Sequence, residues 1–253
     1  MEQILIIAIV QARMGSTRLP KKVMKEIEGH PLLWHVLKRI AYSEVIDKIV
    51  LATSEKKQDS VLFELAKDMG FEAITGSEDD VLDRFYKVAV KYEPDVIVRL
   101  TADCPIIEPT MIDQIIKFYI KHKDKFDYVH RGDYYPEGVA EVEVFSYEIL
   151  EKIWEEAEKK SDREHVTSYI WSHPDKFKIG EVNYNENLED IRLEVDEFND
   201  LKVVRKIYNA LYQQGEIFHW AAVHEFLKNH PEIMVINKYI ERNEGYQISL
   251  END

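Results

Sequence analysis

Residues Ile4–Val10 form an unbroken apolar run of strand length, rich in isoleucine, the pattern of a strand buried on both faces. Similar runs return at Lys48–Thr53, Phe71–Thr75 and Asp95–Leu100. Between and after them, apolar positions at helical spacing predict helices over Pro31–Ala41, Asp59–Gly70, Asp79–Tyr92 and Thr110–His122. Pro31 suits a first helical turn, and Gly70 suits a helix end. Four strand–helix alternations predict an α/β domain on a mainly parallel, doubly wound sheet with right-handed crossovers.

The second half breaks this rhythm. Strands are expected at Phe126–His130, Ala140–Phe145, Phe177–Val182 and Asp190–Val195, interleaved with helices over Tyr147–Lys160 and Arg163–His173. Antiparallel additions to the parallel core are the expected result. Helices over Asn199–Gln214 and Trp220–Asn229 close the domain, and the weakly patterned Met234–Asp253 reads as an arm or tail. No Pro/Gly/Ser-rich linker divides the chain, so residues 1–233 are expected to form one domain, with 234–253 appended.

At 253 residues, with 45% hydrophobic and 32% charged residues, the chain has the composition of an ordinary globular protein. It carries one cysteine, Cys104, which excludes an internal disulfide framework and a thiolate-rich metal site. No apolar run reaches the ~20 residues of a membrane helix, and Ile4–Val10 lacks a basic region before it and is too short for a signal-peptide core, so a soluble, cytoplasmic protein is expected. The net charge of −15 argues against sequence-independent nucleic-acid binding, which depends on neutralising many phosphates. That charge is unevenly spread. From Gln3 to Lys25 there are five bases and no acid, which leaves about −20 on the rest of the chain. A cationic window in an acidic protein points to a discrete anion site.

Three segments carry candidate chemistry. Gln11–Lys22, QARMGSTRLPKK, follows the first strand at the carboxyl edge where open α/β sheets bind ligands. Gly15 allows close backbone approach, Ser16 and Thr17 offer hydroxyls, and Arg13, Arg18 and Lys22 supply charge, the mixture a triphosphate requires. The segment lacks the glycines of a Walker loop or a dinucleotide fingerprint. Leu100–Ile107, LTADCPII, ends the fourth strand with Asp103, which could reach phosphates held by the first loop and share a hard cation with them. Taken alone, an Asp before a Pro turn is a turn residue. Ile191–Asp196, IRLEVD, delivers Asp196 ahead of a helix start, where Asp196 or Asn199 would serve equally as a cap. The histidine pairs His30/His35 and His219/His224 lack the spacing of a helical zinc site.

QARMGSTRLPKK, LTADCP and RLEVDEFNDLKVV together resemble the cytidylyltransferases that make CMP-activated sugars, including the CMP-Kdo and CMP-sialic acid synthetases. GSEDDVLDRF (Gly76–Phe85), EVFSYEIL (Glu143–Leu150) and DREHVTSYI (Asp162–Ile170) are similar to the spore-coat polysaccharide biosynthesis (SpsF-type) branch. The resemblance runs from residue 4 to about 210. It implies a three-layer α/β/α nucleotide-diphospho-sugar transferase-like (GT-A) fold, and the reaction of CTP with a sugar to give CMP-sugar and pyrophosphate. The sugar would be a sugar acid or a related cell-surface sugar.

By the same resemblance, Gln11, Ala12, Arg13, Gly15, Ser16, Arg18, Lys22 and Ala102 would line the nucleotide site, with Arg13, Lys22 and Asp103 catalytic and Asp103 and Asp196 holding Mg²⁺. Gly76, Ser77, Asp83 and Arg84 would lie beside the nucleoside. Arg131, Tyr134, Glu141, Glu143, Arg163 and His165 would meet the acceptor, Arg163 or His165 receiving a sugar-acid carboxylate. The chain departs from the branch at Gly138-Val139-Ala140-Glu141, where Gly-Leu-Asp is usual, so an Asp-like role would pass to Glu141. A homodimer is expected. Alternatives are a nucleotidyltransferase using another NTP and a sugar 1-phosphate, a glycosyltransferase on the same fold, and a nucleotide-sensing subunit. The glycosyltransferase would call for an Asp-x-Asp, and Asp103-Cys104-Pro105 lacks the second acid.

Overall fold

The computed structural model describes residues 4–240 and Leu250. Strand β1 (Ile6–Gln11) is followed by a small antiparallel pair, β2 (Glu26–Ile27) and β3 (His30–Pro31), and by α1 (Leu32–Ile40). Next come β4 (Lys48–Ser54), α2 (Ser60–Asp68), β5 (Glu72–Gly76), α3 (Val81–Tyr92), β6 (Val96–Thr101) and α4 (Pro109–His122). The second half contains β7 (Tyr128–Arg131), β8 (Glu143–Ser146), α5 (Tyr147–Glu156), α6 (Lys160–His165) and α7 (Ser168–Ser172). It ends with β9 (Ile179–Val182), α8 (Phe198–Leu211) and α9 (Trp220–Asn229).

Seven strands form one sheet in the order β5-β4-β1-β6-β8-β7-β9. Strands β1, β4, β5 and β6 are mutually parallel, β8 is antiparallel to β6 and β7, and β9 is parallel to β7. This is the expected mixed sheet. The alternation within β1 explains the three layers. Ala8 and Val10 join one core with residues of α1, α2, α4, α8 and α9, while Ile7 and Ile9 join a second with residues of α3, α5 and α7. The central strand is therefore apolar on both faces, and its loop emerges at the carboxyl edge.

Three expected elements differ. The helix expected over Tyr147–Lys160 stops at Glu156, because Ala157 is extended, and restarts as α6. The helix expected over Arg163–His173 breaks at Val166, whose φ of 65° and ψ of −63° lie outside the helical region. Such a backbone is unfavourable for a β-branched residue, and the fully buried Val166 side chain anchors it in the second core. Asp190–Val195 is no strand of the sheet. Its alternation comes from Leu193 and Val195 entering the core, but its backbone makes one parallel bridge, Arg192 with Glu137, and then pairs with the Asp103 loop.

Residues 234–240 pack on the domain. Met234 and Ile236 lie against the larger core, and the buried Asn237 donates through Nδ2 to Arg192 C=O (3.1 Å) and Asp200 Oδ1 (2.9 Å). Residues 241–249 and 251–253 of the expected arm lie outside the described residues. No described helix is long and apolar enough to cross a membrane.

Candidate active site

A cleft of about 1290 Å³ opens at the carboxyl edge of the sheet. Gln11, Ala12, Arg13, Gly15, Ser16, Thr17, Arg18 and Lys22 line it, so the basic segment after β1 faces the cavity as expected. Ala12 N–H donates to Ala52 C=O (3.2 Å), which continues the sheet by one residue into the loop. The left-handed Lys21 (φ 57°, ψ 34°) then turns the chain ahead of Lys22.

Lys22 Nζ reaches Asp103 Oδ2 (2.7 Å) and Asp196 Oδ1 (2.8 Å), and Arg18 Nη2 reaches the same Asp196 oxygen (3.0 Å). Acids from distant sequence meet because Val195 N–H donates to Asp103 C=O (2.9 Å), which joins the late segment to the loop after β6. Asp200, fully buried in the first turn of α8, accepts from Asp196 N–H (3.0 Å) and Glu197 N–H (2.9 Å). It also receives Arg192 Nε (3.1 Å), whose Nη2 binds Asp196 Oδ2 (2.9 Å). The cap of α8 is the reciprocal Glu197/Asp200 box, which leaves Asp196 free of capping.

Glu194 completes the cluster. Asp103, Glu194 and Asp196 each offer an oxygen within 4.8 Å of the others. Burial disfavours the Lys22 ammonium, but Asp103 and Asp196 hold its pKa above the ordinary lysine value. Burial works against the Asp196 carboxylate too, and Lys22, Arg18 and Arg192 nevertheless keep its pKa low. Glu194 goes the other way, pushed well above the usual glutamate range by burial and then by Asp103 and Asp196. Crowded acids of this kind are relieved by a cation. Sequence reasoning missed Glu194, although the alternation in Leu193-Glu194-Val195-Asp196 sets both acids on the side opposite the two buried apolar residues.

The nucleoside-side expectations divide. Arg84 lines the cleft and is 1% exposed; Nε and Nη1 have no partner, and burial, followed by Arg13, lowers its pKa to about 10. Gly76 lies behind it, where a Cβ would come 3.0 Å from Arg84 Cγ. Gly76, Ser77 and Asp83 do not line the cleft. Ser77 Oγ accepts Asp80 N–H (3.2 Å), and Asp83 is taken by Trp154 Nε1 (3.2 Å) and Lys87 Nζ (2.9 Å). Asp79 and Asp80 line it in their place.

Ala102, Arg99, Arg131, Glu141, Glu143, Arg163 and His165 also line the cleft. Arg163 lines the cleft, but its donors are committed: Nε (3.0 Å) and Nη2 (2.8 Å) grip the Asp80 carboxylate and Nη1 binds Trp154 C=O (2.8 Å). It is a strut between α6 and the start of α3, so a substrate carboxylate would have to displace Asp80. Burial and then Arg99 lower the His165 pKa, which favours the neutral ring. Burial opposes ionisation of Glu143, but Arg99, Tyr128 and Thr167 keep its pKa below the usual range. Glu141 binds Arg131 Nη2 (2.8 Å) and accepts Gly138 N–H (3.1 Å). Arg13 Nη2 is held by Glu164 Oε1 (2.7 Å). Tyr134 is exposed and outside the lining.

Residues 7–218 match the family model described as cytidylyltransferase. The chain belongs to the cytidylyltransferase family. It is 37% identical over 246 residues to the uncharacterized protein MJ1063 of Methanocaldococcus jannaschii, covering 96% of this chain and 98% of that one. It is 31% identical over 218 residues to the spore coat polysaccharide biosynthesis protein SpsF of Bacillus subtilis, covering 84% and 90%. A solved cytidylyltransferase from Leptospira borgpetersenii superposes with a TM-score of 0.88 at 27% identity, covering 95% of this chain and all of that one. Within the family frame, the basic loop and the three-carboxylate cluster meet in one cleft, Lys22 and Arg18 in direct contact with its acids.

Proposed function

We propose that this cytidylyltransferase transfers CMP from CTP to a hydroxyl of a sugar, a sugar acid or a related cell-surface sugar, releasing pyrophosphate for surface-polysaccharide synthesis. One observation carries the reading: Arg18 and Lys22 converge with Asp103, Glu194 and Asp196 in one cleft. A triphosphate bears about four negative charges, and its transfer requires dispersed positive charge and fixed geometry more than covalent help. Arg13, Arg18 and Lys22 would take the phosphates, exchanging carboxylate partners for phosphate oxygens. Arg84, with two unpartnered buried nitrogens, would receive an oxygen of the nucleotide.

The donor set fits a hard divalent cation, since three oxygen ligands crowd together and burial with the neighbouring acids raises the pKa of one of them, Glu194. Asp103, Glu194 and Asp196 would hold Mg²⁺. When bound, that ion supplies Lewis-acid polarisation of the α-phosphate and lowers the pKa of the attacking hydroxyl. Glu141 and Glu143, each tied to an arginine, would present hydroxyl acceptors to the sugar. The reading extends to a soluble cytoplasmic homodimer without nucleic-acid or membrane partners, in keeping with the net charge of −15.

The test is a pyrophosphate-release screen of CTP, ATP, GTP and UTP against keto-deoxy sugar acids, other sugars and sugar 1-phosphates, with and without Mg²⁺. Release confined to CTP, a sugar and metal is expected. Release that requires a sugar 1-phosphate and another NTP would replace this reading with the other nucleotidyltransferase chemistry.

A further inference from the structure

The loop that faces the triphosphate subsite is fastened to the interior by a carboxylate that no proposed step uses. Met14 N–H donates to Asp59 Oδ1 (2.8 Å), a contact across 45 residues. Asp59 is fully buried, and its other oxygen accepts the Ser54 hydroxyl at the end of β4. Asp59 closes a short 3-10 turn (Lys57–Asp59) that runs straight into α2, so its side chain is not engaged in capping that helix. Its carboxylate is committed to the loop and to Ser54. Beside the same loop, a Cβ on Gly15 would lie 2.9 Å from Glu78 Oε1, the end of a side chain that can move. The interior hydrogen bond from Met14 is therefore what fixes the loop's path.

We propose that Asp59 is a positioning residue for the nucleotide: by fixing the Met14 amide, it sets the path of Arg13–Ser16 and thereby the aim of that loop at the triphosphate. The inference rests on reading the cleft as a CTP site. Burying a carboxylate is costly unless its bonds are all made, so the contact is specific in geometry as well as favourable.

Asp113 provides an internal control. It is likewise buried, it accepts Glu44 N–H (3.0 Å) and Ser43 Oγ (2.5 Å), and it does not line the cleft. Removing either aspartate deletes the same kinds of bond; only one deletion touches the loop.

The experiment is calorimetric titration of CTP with Mg²⁺ into native protein and the D59A, D59N, S54A and D113A variants, with thermal unfolding measured on each. Loss of a buried bond to a charged group corresponds to roughly tenfold or more in affinity where the loop alone absorbs it. D59A is expected to bind CTP at least about tenfold more weakly. D59N keeps an oxygen for Met14 N–H and an amide for Ser54, and should stay within about threefold of native. D113A should lose stability with CTP affinity unchanged.

CTP binding by D59A as tight as by native protein, alongside a D113A-like loss of stability, overturns the proposal. So does a D59N as weak as D59A, which would make charge rather than the Met14 bond the relevant property. Should D59A not fold, S54A carries the test, because it frees the carboxylate without burying a new group. A measurable loss of CTP affinity is then expected, and unchanged affinity overturns the proposal. Native protein that binds no CTP overturns the CTP reading itself, an outcome distinct from either.

Discussion

Gly138 packs the acceptor-side loop against the segment that carries the carboxylate cluster, and an alanine there would force the two apart. Its φ is +84°, and a Cβ built there would sit 2.3 Å from Glu194 N and 2.6 Å from Leu193 C. These are backbone atoms, which cannot rotate away. Ordinary contact begins near 3.4 Å, so the two segments must separate by about 1 Å. The left-handed backbone adds about 1–2 kcal/mol for an alanine, which in a domain of this size lowers Tm by about 2–8 °C. The larger effect falls on function. The displaced segment carries Glu194 and Asp196, and a misplacement of about 1 Å in catalytic geometry costs ~100-fold in rate. G138A should therefore remain folded, with kcat for pyrophosphate release down about 100-fold and Tm only modestly reduced. The assays are steady-state pyrophosphate release at saturating CTP and a thermal melt. A folded G138A with native kcat would refute the reasoning, because it would mean that the Glu194 segment carries no geometric demand.

Three further outcomes follow from individual contacts. R163K should cost about 1–2 kcal/mol of stability, seen in denaturant melts, because lysine cannot reproduce the fork on Asp80; unchanged stability with a raised acceptor KM would instead make Arg163 a substrate contact. Cys104 is buried, and burial, followed by Asp103 and Glu194, pushes its thiol pKa well up, so a thiol-reactive disulfide reagent should leave native protein unmodified and react once the protein is denatured. Glu194 has a folded pKa above its unfolded value, so in metal-free protein its contribution to stability is lost as pH rises from the ordinary glutamate range through the raised value. E194Q should then raise Tm near neutral pH, with the gain vanishing toward pH ~4, while turnover falls; a Tm difference independent of pH would contradict the assignment.

How far the sequence reads through to the fold depends on how directly each element's burial is written in its residues. β1, β4 and β6 carry continuous apolar runs because both faces are covered, and these were legible to within a few residues. The Asp190–Val195 segment imitates a strand, since Leu193 and Val195 are buried on one side. Its partners are Glu137 and the Asp103 loop, contacts that no local pattern encodes. The break at Val166 is similarly hidden, because a valine at positive φ contradicts its own propensity.

In the candidate site, the bases of Gln11–Lys22 and the pairing of Asp103 with Asp196 were legible from residue type, position at the sheet edge and family resemblance. The cleft-facing acids beside α3 were not. Asp80 caps the helix through Asp83 N–H (2.9 Å) and faces the cleft, whereas Asp83, one turn on, points to Trp154 and Lys87. A shift of a few residues at a helix start decides which acid meets the cavity. Arg163 looked available for a substrate carboxylate because its partner lies 83 residues away.

The most direct test of the central claim is a titration of Mn²⁺ followed by electron paramagnetic resonance, in the presence and absence of CTP. Native protein should show a tight, CTP-dependent Mn²⁺ signal that is lost in D103N and D196N, both still folded by circular dichroism though melting lower, since each loses a partner of buried Lys22. Native-like Mn²⁺ binding with CTP in folded D103N and D196N would contradict the convergence of these acids on a metal–triphosphate.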